Sequence, residues 1–187
     1  FEEHVGQPIH GILSAKAFSR YFIEINYANK IITLHRKERN KRFLKGYEKV
    51  ELNFARNKPY LDTKLYLQND TTVDVRLLLD TGAAISLLLF PDSHPSLIPP
   101  PNAIDGNIGE GLGGYLEGFT GRVRQLDIGT WNQQGIVSFF QKVDTIERSK
   151  LLNDRNGILG NSVLERFHII FDYQNSVLDL RPSKSYS

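Results

Sequence analysis

An all-β fold of short strands, interrupted by brief helices, is the class this sequence predicts. Three features carry the prediction. Leu61, Thr63, Leu65 and Leu67 alternate with Asp62, Lys64 and Tyr66, the period-2 pattern of a half-buried strand over residues 60–67. Residues 72–79 turn continuously apolar at Leu77-Leu78-Leu79, as a strand does on entering a core. Turn formers punctuate these runs at Arg56-Asn57-Lys58-Pro59 and at Gln68-Asn69-Asp70.

The other elements follow in order. A short helix is expected over 15–20, then strands 21–27 and 30–36 around a two-residue turn at Ala28-Asn29, a hairpin signal. A strand is expected over 50–54, before those at 60–67 and 72–79. A second apolar strand covers 85–90, and 91–101 reads as a proline-rich surface loop. Gly109 to Gly118 reads as a glycine-rich hairpin tip. The strand Arg122-Val123-Arg124-Gln125-Leu126 follows it within 121–128, and another strand covers 135–140. The chain closes with Gly157-Ile158-Leu159-Gly160, a helix over 162–166, and strands 167–173 and 176–181 around Gln174-Asn175.

The first and last of these segments are copies of one another. Residues 11–35 match 157–181 at a constant offset of 146, with eight identities that include Arg20 with Arg166, Tyr27 with Tyr173 and Asn29 with Asn175. Turn residues and apolar positions match together. The second copy ends a long unit beginning near Tyr47, whereas little precedes the first. The expected organisation is therefore the end of one lobe (1–36), a basic solvated linker (37–46) and a whole second lobe (47–187). The chain opens on Phe1 rather than Met, so a longer native polypeptide is expected.

Composition removes several function classes. Apolar residues make up 40% of the 187 and aromatics 11%, which suits a globular chain with a real core. A formal charge of +2 gives no basis for a nucleic-acid or membrane-surface partner. With no cysteine there is neither a disulfide nor a thiolate metal site. The apolar stretch from Gly82 to Phe90 is far short of the roughly 20 residues of a membrane helix, and no signal peptide is visible.

The candidate chemistry lies at Leu77-Leu78-Leu79-Asp80-Thr81-Gly82-Ala83. A carboxylate placed at the end of an apolar strand is costly unless its surroundings compensate it. Gly82 lets backbone approach closely, and Thr81 offers a hydroxyl to a neighbouring loop. A plain strand-end turn, with Asp80 bonded to its own backbone, is the competing reading of these residues.

Three features in this order resemble the pepsin and retropepsin superfamily of aspartic peptidases: the apolar-Asp-Thr-Gly-Ala element, the glycine-rich hairpin, and Ile158-Leu159-Gly160. More narrowly, Pro8-Ile9-His10-Gly11-Ile12-Leu13 with Ile23-Glu24-Ile25-Asn26-Tyr27 is similar to the end of the first lobe in bacterial two-repeat aspartyl proteases, which often carry a PDZ domain, absent here. The resemblance implies an acid-protease β-barrel lobe and peptide-bond hydrolysis on peptide or protein substrates, without cofactor or metal. It implies Asp80 as a catalytic carboxylate, supported by Thr81, Gly82 and Ala83. Gly111, Leu112, Gly113 and Gly114 would form the flap tip, and Ile158, Leu159 and Gly160 the segment threading beside the catalytic loop. It further implies a cell-envelope, periplasmic or secreted location. The partner carboxylate would come from the missing first lobe or from a homodimer. A lobe without that partner could instead serve as a non-catalytic peptide-binding module.

There are departures. Ser14 stands where the second copy has Gly160, Ala83 matches the retroviral form of the motif, and only one Asp-Thr-Gly is present, Asp62-Thr63 being followed by Lys64. Gly109, Gly111 and Gly114 fit Gly-x-Gly-x-x-Gly, a dinucleotide motif that requires a following helix where a strand is expected. The five histidines have no metal-ligand spacing, no Gly-x-Ser-x-Gly elbow occurs, and Asn69-Asp70-Thr71 reads as a turn rather than a glycosylation site.

Overall fold

The computed structural model describes residues 10–11, 13, 15–18, 20–36, 44–111, 114–142 and 155–184. Most of the expected linker, and Leu112 and Gly113 of the expected flap tip, lie outside them. The described residues are strands with two one-turn helices and one 3₁₀ turn, as the sequence predicts. No described helix is long and apolar enough to cross a membrane.

Five strands make a small antiparallel sheet. After helix α1 (Ala15–Phe18) come β1 (Phe22–Asn26) and β2 (Ile31–His35); later strands are β3 (Glu48–Glu51), β14 (Phe167–Asp172) and β15 (Val177–Pro182). Their spatial order is β2-β1-β14-β15-β3. The sequence repeat is written into this sheet. Phe22 pairs with His35 as His168 pairs with Arg181, both partners displaced by 146. Between the copies, Phe22 faces Asp172 and Glu24 faces Ile170, so a local two-fold axis passes between Glu24 and its own repeat equivalent.

Both hairpin turns use the same chemistry. The Asn26 carboxamide oxygen accepts the Asn29 N–H (3.1 Å) and the Asp172 carboxylate accepts the Asn175 N–H (3.0 Å). Lys30 and Ser176 then adopt left-handed φ of 56° each. Each turn spans four residues, 27–30 and 173–176, rather than the two expected, because this side-chain cap bridges three positions.

The second sheet holds ten strands. They are β4 (Asn53–Ala55), β5 (Lys58–Tyr66), β6 (Thr72–Leu79), β7 (Leu87–Leu89), β8 (Ile104–Gly111), β9 (Gly114–Arg122), β10 (Gln125–Ile128), β11 (Trp131–Gln134), β12 (Val137–Gln141) and β13 (Gly157–Leu159). The order is β11-β10-β5-β6-β13-β7-β12-β9-β8, with β4 on β5. Helix α2 (Asn161–Leu164) follows β13. Strand β6 has the predicted bounds, and on β5 Leu61 and Leu65 are buried between exposed Asp62 and Lys64. Thr63, facing inward, donates its hydroxyl to the Asp127 carbonyl at 2.6 Å, so its polar atom is satisfied.

One hydrophobic core joins the sheets, with Val50, Phe171, Leu178 and Leu180 from the small sheet meeting Leu61, Leu77, Leu87 and Phe140 from the large one. This explains two departures from the sequence reading. The strand expected over 50–54 divides at Leu52, whose N–H bonds the Ser176 carbonyl (2.9 Å), so its halves belong to different sheets. The strand expected over 121–128 breaks at Val123-Arg124. There the chain leaves β12 for β5, with the Arg124 N–H on the Tyr66 carbonyl (2.9 Å). The proline-rich loop is also more than surface, since Leu97 within it is fully buried.

Candidate active site

Asp80 is the first residue after β6, at the point where three buried leucines end. Its carboxylate Oδ1 accepts the Gly82 N–H at 2.9 Å, and its carbonyl accepts the Ala83 N–H at 3.3 Å. These bonds form a tight loop, which is the local turn that the competing reading required. Asp80 is half-buried, with Thr81 and Gly82 exposed beside it.

The loop is not held by local bonds alone. Strand β13 runs parallel to β6, with Gly157, Ile158 and Leu159 opposite Leu77, Leu78 and Leu79, and antiparallel to β7 on its other side. The ladder continues into the loop, where the Asp80 N–H donates to the Leu159 carbonyl at 3.0 Å. Beyond β13 the Gly160 N–H bonds the Ser86 carbonyl (2.9 Å) and the Asn161 N–H bonds the Ala83 carbonyl (2.7 Å). The Ser162 hydroxyl donates to the Ala84 carbonyl at 2.7 Å. So residues 80–86 are clasped from one side by 159–162.

Glycine is required twice in this clasp. A Cβ on Gly157 would lie 2.1 Å from the Leu88 carbonyl oxygen. One on Gly160 would lie 2.1 Å from that of Ile85 and 2.9 Å from that of Ala83. No side chain fits at such distances.

The glycine-rich segment forms the β8–β9 hairpin, in which Gly111 pairs with Gly114; Leu112 and Gly113 lie outside the described residues. Its register shifts between Asn107 and Gly109, a bulge in which the Asn107 side chain accepts the Gly109 N–H (2.8 Å). A second apolar cluster fixes the hairpin base: Ile108 packs with Leu88 and Phe90, flanked by Ile85, Leu116, Phe139 and Ile158. Residues of the hairpin, of the segment after Asp80 and of the threading strand thus meet in one cluster. Gly109 and Gly111 sit on β8 and Gly114 opens β9, which runs as strand to Arg122, so the dinucleotide reading lacks the helix N-terminus that phosphates need there.

Against solved structures, the chain aligns with a retropepsin-like aspartic protease from Rickettsia conorii at 18% identity and a TM-score of 0.47, over 72% of this chain and 90% of that one. It aligns with the EIAV protease complexed with the inhibitor HBY-793 at 20% identity and a TM-score of 0.43, over 60% and 90%. Basic 7S globulin from soybean aligns over 99% of this chain at 9% identity and a TM-score of 0.45, and this chain spans about half (53%) of that protein. No protein-family profile and no curated protein matches the sequence.

Sequence reasoning located Asp80, its loop, the hairpin and the threading strand. It missed the residues that connect them. Ser162 clasps the loop through its hydroxyl, and the only hint was its position as a small polar residue following an apolar run. Ile108 anchors the hairpin, and it is the one apolar residue between Gly106 and Gly109. The Lys142 ammonium, which bonds both Asp105 carboxylate oxygens (2.7 and 2.9 Å) above the Phe119 ring, ties β12 to β8 across β9.

Proposed function

We propose that this chain is part of an aspartic-type endopeptidase and supplies one of its two catalytic carboxylates, Asp80. The observation that supports the reading is the setting of that carboxylate. It caps an apolar strand, its loop is held by the Gly82 N–H and by the Leu159 carbonyl, and the hairpin and the threading strand share an apolar cluster with Ile85 and Leu88 of the segment that follows it. Thr81, Gly82 and Ala83 support the loop. Gly111, Leu112, Gly113 and Gly114 form the flap tip over a bound peptide.

The chemistry needs a pair. Two carboxylates about 3 Å apart share one proton, because both cannot ionise at that distance. The charged member takes a proton from a bound water, which attacks the scissile carbonyl. The protonated member hydrogen-bonds that carbonyl and stabilises the developing oxyanion. The second carboxylate comes from the preceding lobe, which the β1–β2 hairpin closes, so the 187-residue chain alone is not a competent peptidase.

Asp80→Asn in the native polypeptide tests this. Loss of casein cleavage with unchanged thermal unfolding supports the assignment, and retained cleavage rejects it. The activity should follow a bell-shaped pH profile centred below neutrality and yield to pepstatin-like inhibitors. An activity that rises steadily with pH, or that chelators abolish, belongs to another mechanism. Peptide binding without cleavage by the wild-type polypeptide would make it a binding module.

A further inference from the structure

Asn156-Gly157 is the one Asn-Gly pair in the 187 residues. The nitrogen that follows an asparagine can attack its side-chain amide, and glycine puts neither a Cβ nor a restricted backbone in the way. The fold nevertheless demands both residues here. A Cβ on Gly157 would strike the Leu88 carbonyl oxygen at 2.1 Å. Asn156 stands where β13 enters the slot between β6 and β7, and each of its polar groups is used. Its N–H donates to the Arg76 carbonyl (2.7 Å) and its carbonyl accepts the Phe90 N–H (2.9 Å). Its Oδ1 accepts the Arg76 N–H (2.8 Å), and its Nδ2 donates to the Ser93 Oγ (3.1 Å). The equivalent position in the first copy of the repeat is His10, which has no amide to offer.

We infer that Asn156 is a modification site: it deamidates from states in which β13 has left its slot, and the product cannot bring the strand back. The Gly157 nitrogen gives its proton to solvent base and bonds to the Asn156 Cγ. The Cγ–Nδ2 bond breaks, and the amide nitrogen takes a proton from water and leaves as ammonia. Water then opens either C–N bond of the cyclic imide. One opening yields aspartate. The other yields isoaspartate, in which the main chain runs through Cβ and Cγ.

The folded structure opposes the first step. Ring closure turns the carboxamide onto the Gly157 nitrogen and breaks its bonds to Arg76 and Ser93 together. Gly157 is itself fixed in register between Leu77 and Leu89. The product opposes the return. The Ser93 hydroxyl already donates to the Phe90 carbonyl at 2.6 Å, so a carboxylate oxygen in place of Nδ2 meets a hydroxyl whose proton is spent. Isoaspartate also lengthens the main chain by a methylene at 156. The bare α-carbons of Gly157 and Gly160 are then displaced from the Leu88 and Ile85 carbonyls, where nothing larger fits. The Leu159 carbonyl that holds the Asp80 N–H leaves with the strand.

Incubation of the 187-residue chain at mildly alkaline pH, with and without urea above its unfolding midpoint, tests this. Mass spectrometry of the tryptic peptide 156–166 follows the gain that amide-to-acid conversion brings, and fragmentation separates Asn156 from Asn161 in the same peptide. Conversion at Asn156 should be about 100-fold slower without urea, and in urea it should outrun conversion at Asn161. Ser93→Ala removes the Nδ2 acceptor and should speed conversion without urea about 5-fold, leaving the rate in urea unchanged. After urea is removed, unmodified chains should regain protection of the 72–79 amides from hydrogen exchange, and chains with isoaspartate at 156 should not. Equal rates with and without urea, faster conversion at Asn161, a Ser93→Ala rate equal to wild type, or full reprotection of the isoaspartate chains would each overturn the inference. None of these readings involves peptide cleavage, so the inference and the proposed function fail separately.

Discussion

The main-chain N–H of Asp80 donates to the carbonyl of Leu159 at 3.0 Å, so the candidate catalytic loop is positioned by a strand far along the chain. That strand can come so near only because Gly157 and Gly160 carry no side chain.

Gly160→Ala should therefore cost about 3 kcal/mol, since its methyl would sit 2.1 Å from the Ile85 oxygen and the backbone must shift. The repeat supplies a control. Gly11→Ala meets nothing within 4 Å and should change stability in the short chain by less than about 0.5 kcal/mol. Urea unfolding of the two variants makes the comparison, and equal losses would refute it.

Acid should weaken the fold partly through Asp62. The Arg76 guanidinium grips both of its oxygens (2.7 and 2.8 Å), Asn53 adds a third bond, and the carboxyl is held below its ordinary value. A lowered pKa means that the folded state binds the proton less well. The contribution is present above the unfolded value of 3.8 and is lost as pH falls through the folded one. Asp62→Asn should flatten the acid limb of stability below about pH 4, read from urea midpoints. The pair is half-exposed, so the effect should shrink in high salt.

His168 acts in the same direction at higher pH. Burial, assisted by Arg181 and opposed by Glu24, pushes its pKa below 6.5. The folded state prefers the neutral ring, so this contribution is present above 6.5 and is lost as pH falls through the folded value. His168→Gln should remove stability loss on going from about pH 7 to pH 5. An unchanged pH slope would show that the ring titrates alike in both states.

Ile108→Ala tests the anchoring of the hairpin. Its side chain is buried against Leu88 and Phe90 in the smaller cluster, outside the main core. Truncation should cost about 2 kcal/mol. Amide exchange should accelerate in β8 and β9 more than in β5 and β6. Uniform acceleration would mean that the hairpin and the core unfold as one.

What the sequence disclosed and what it withheld divide along physical lines. Strand β6 and the alternation of β5 were legible because one face of each lies in a single core. The repeat was legible because its turn residues have a local job, the Asn26 and Asp172 caps. The division at Leu52 and the break at Val123-Arg124 were not, because both mark a change of partner strand, and partners leave no periodicity of their own. Strand β8 was missed because only Ile108 among residues 105–111 is buried and apolar. The clasp on Asp80 was half-visible: the resemblance implied that Ile158-Leu159-Gly160 threads beside the loop, but not which atoms bond.

The insertion of β13 between β6 and β7 also bears on how the chain reaches this state. Leu77-Leu78-Leu79 leaves the ribosome some 80 residues before its parallel partner Gly157-Ile158-Leu159. At typical synthesis rates that is a wait of roughly 4–16 s. Until then the leucines form an incomplete sheet edge that could pair with another chain. Asp74, Arg76 and Asp80 stand beside them, charges suited to discouraging such pairing. The acid proposed for catalysis would thus have an earlier duty, guarding a nascent strand until the end of the chain arrives.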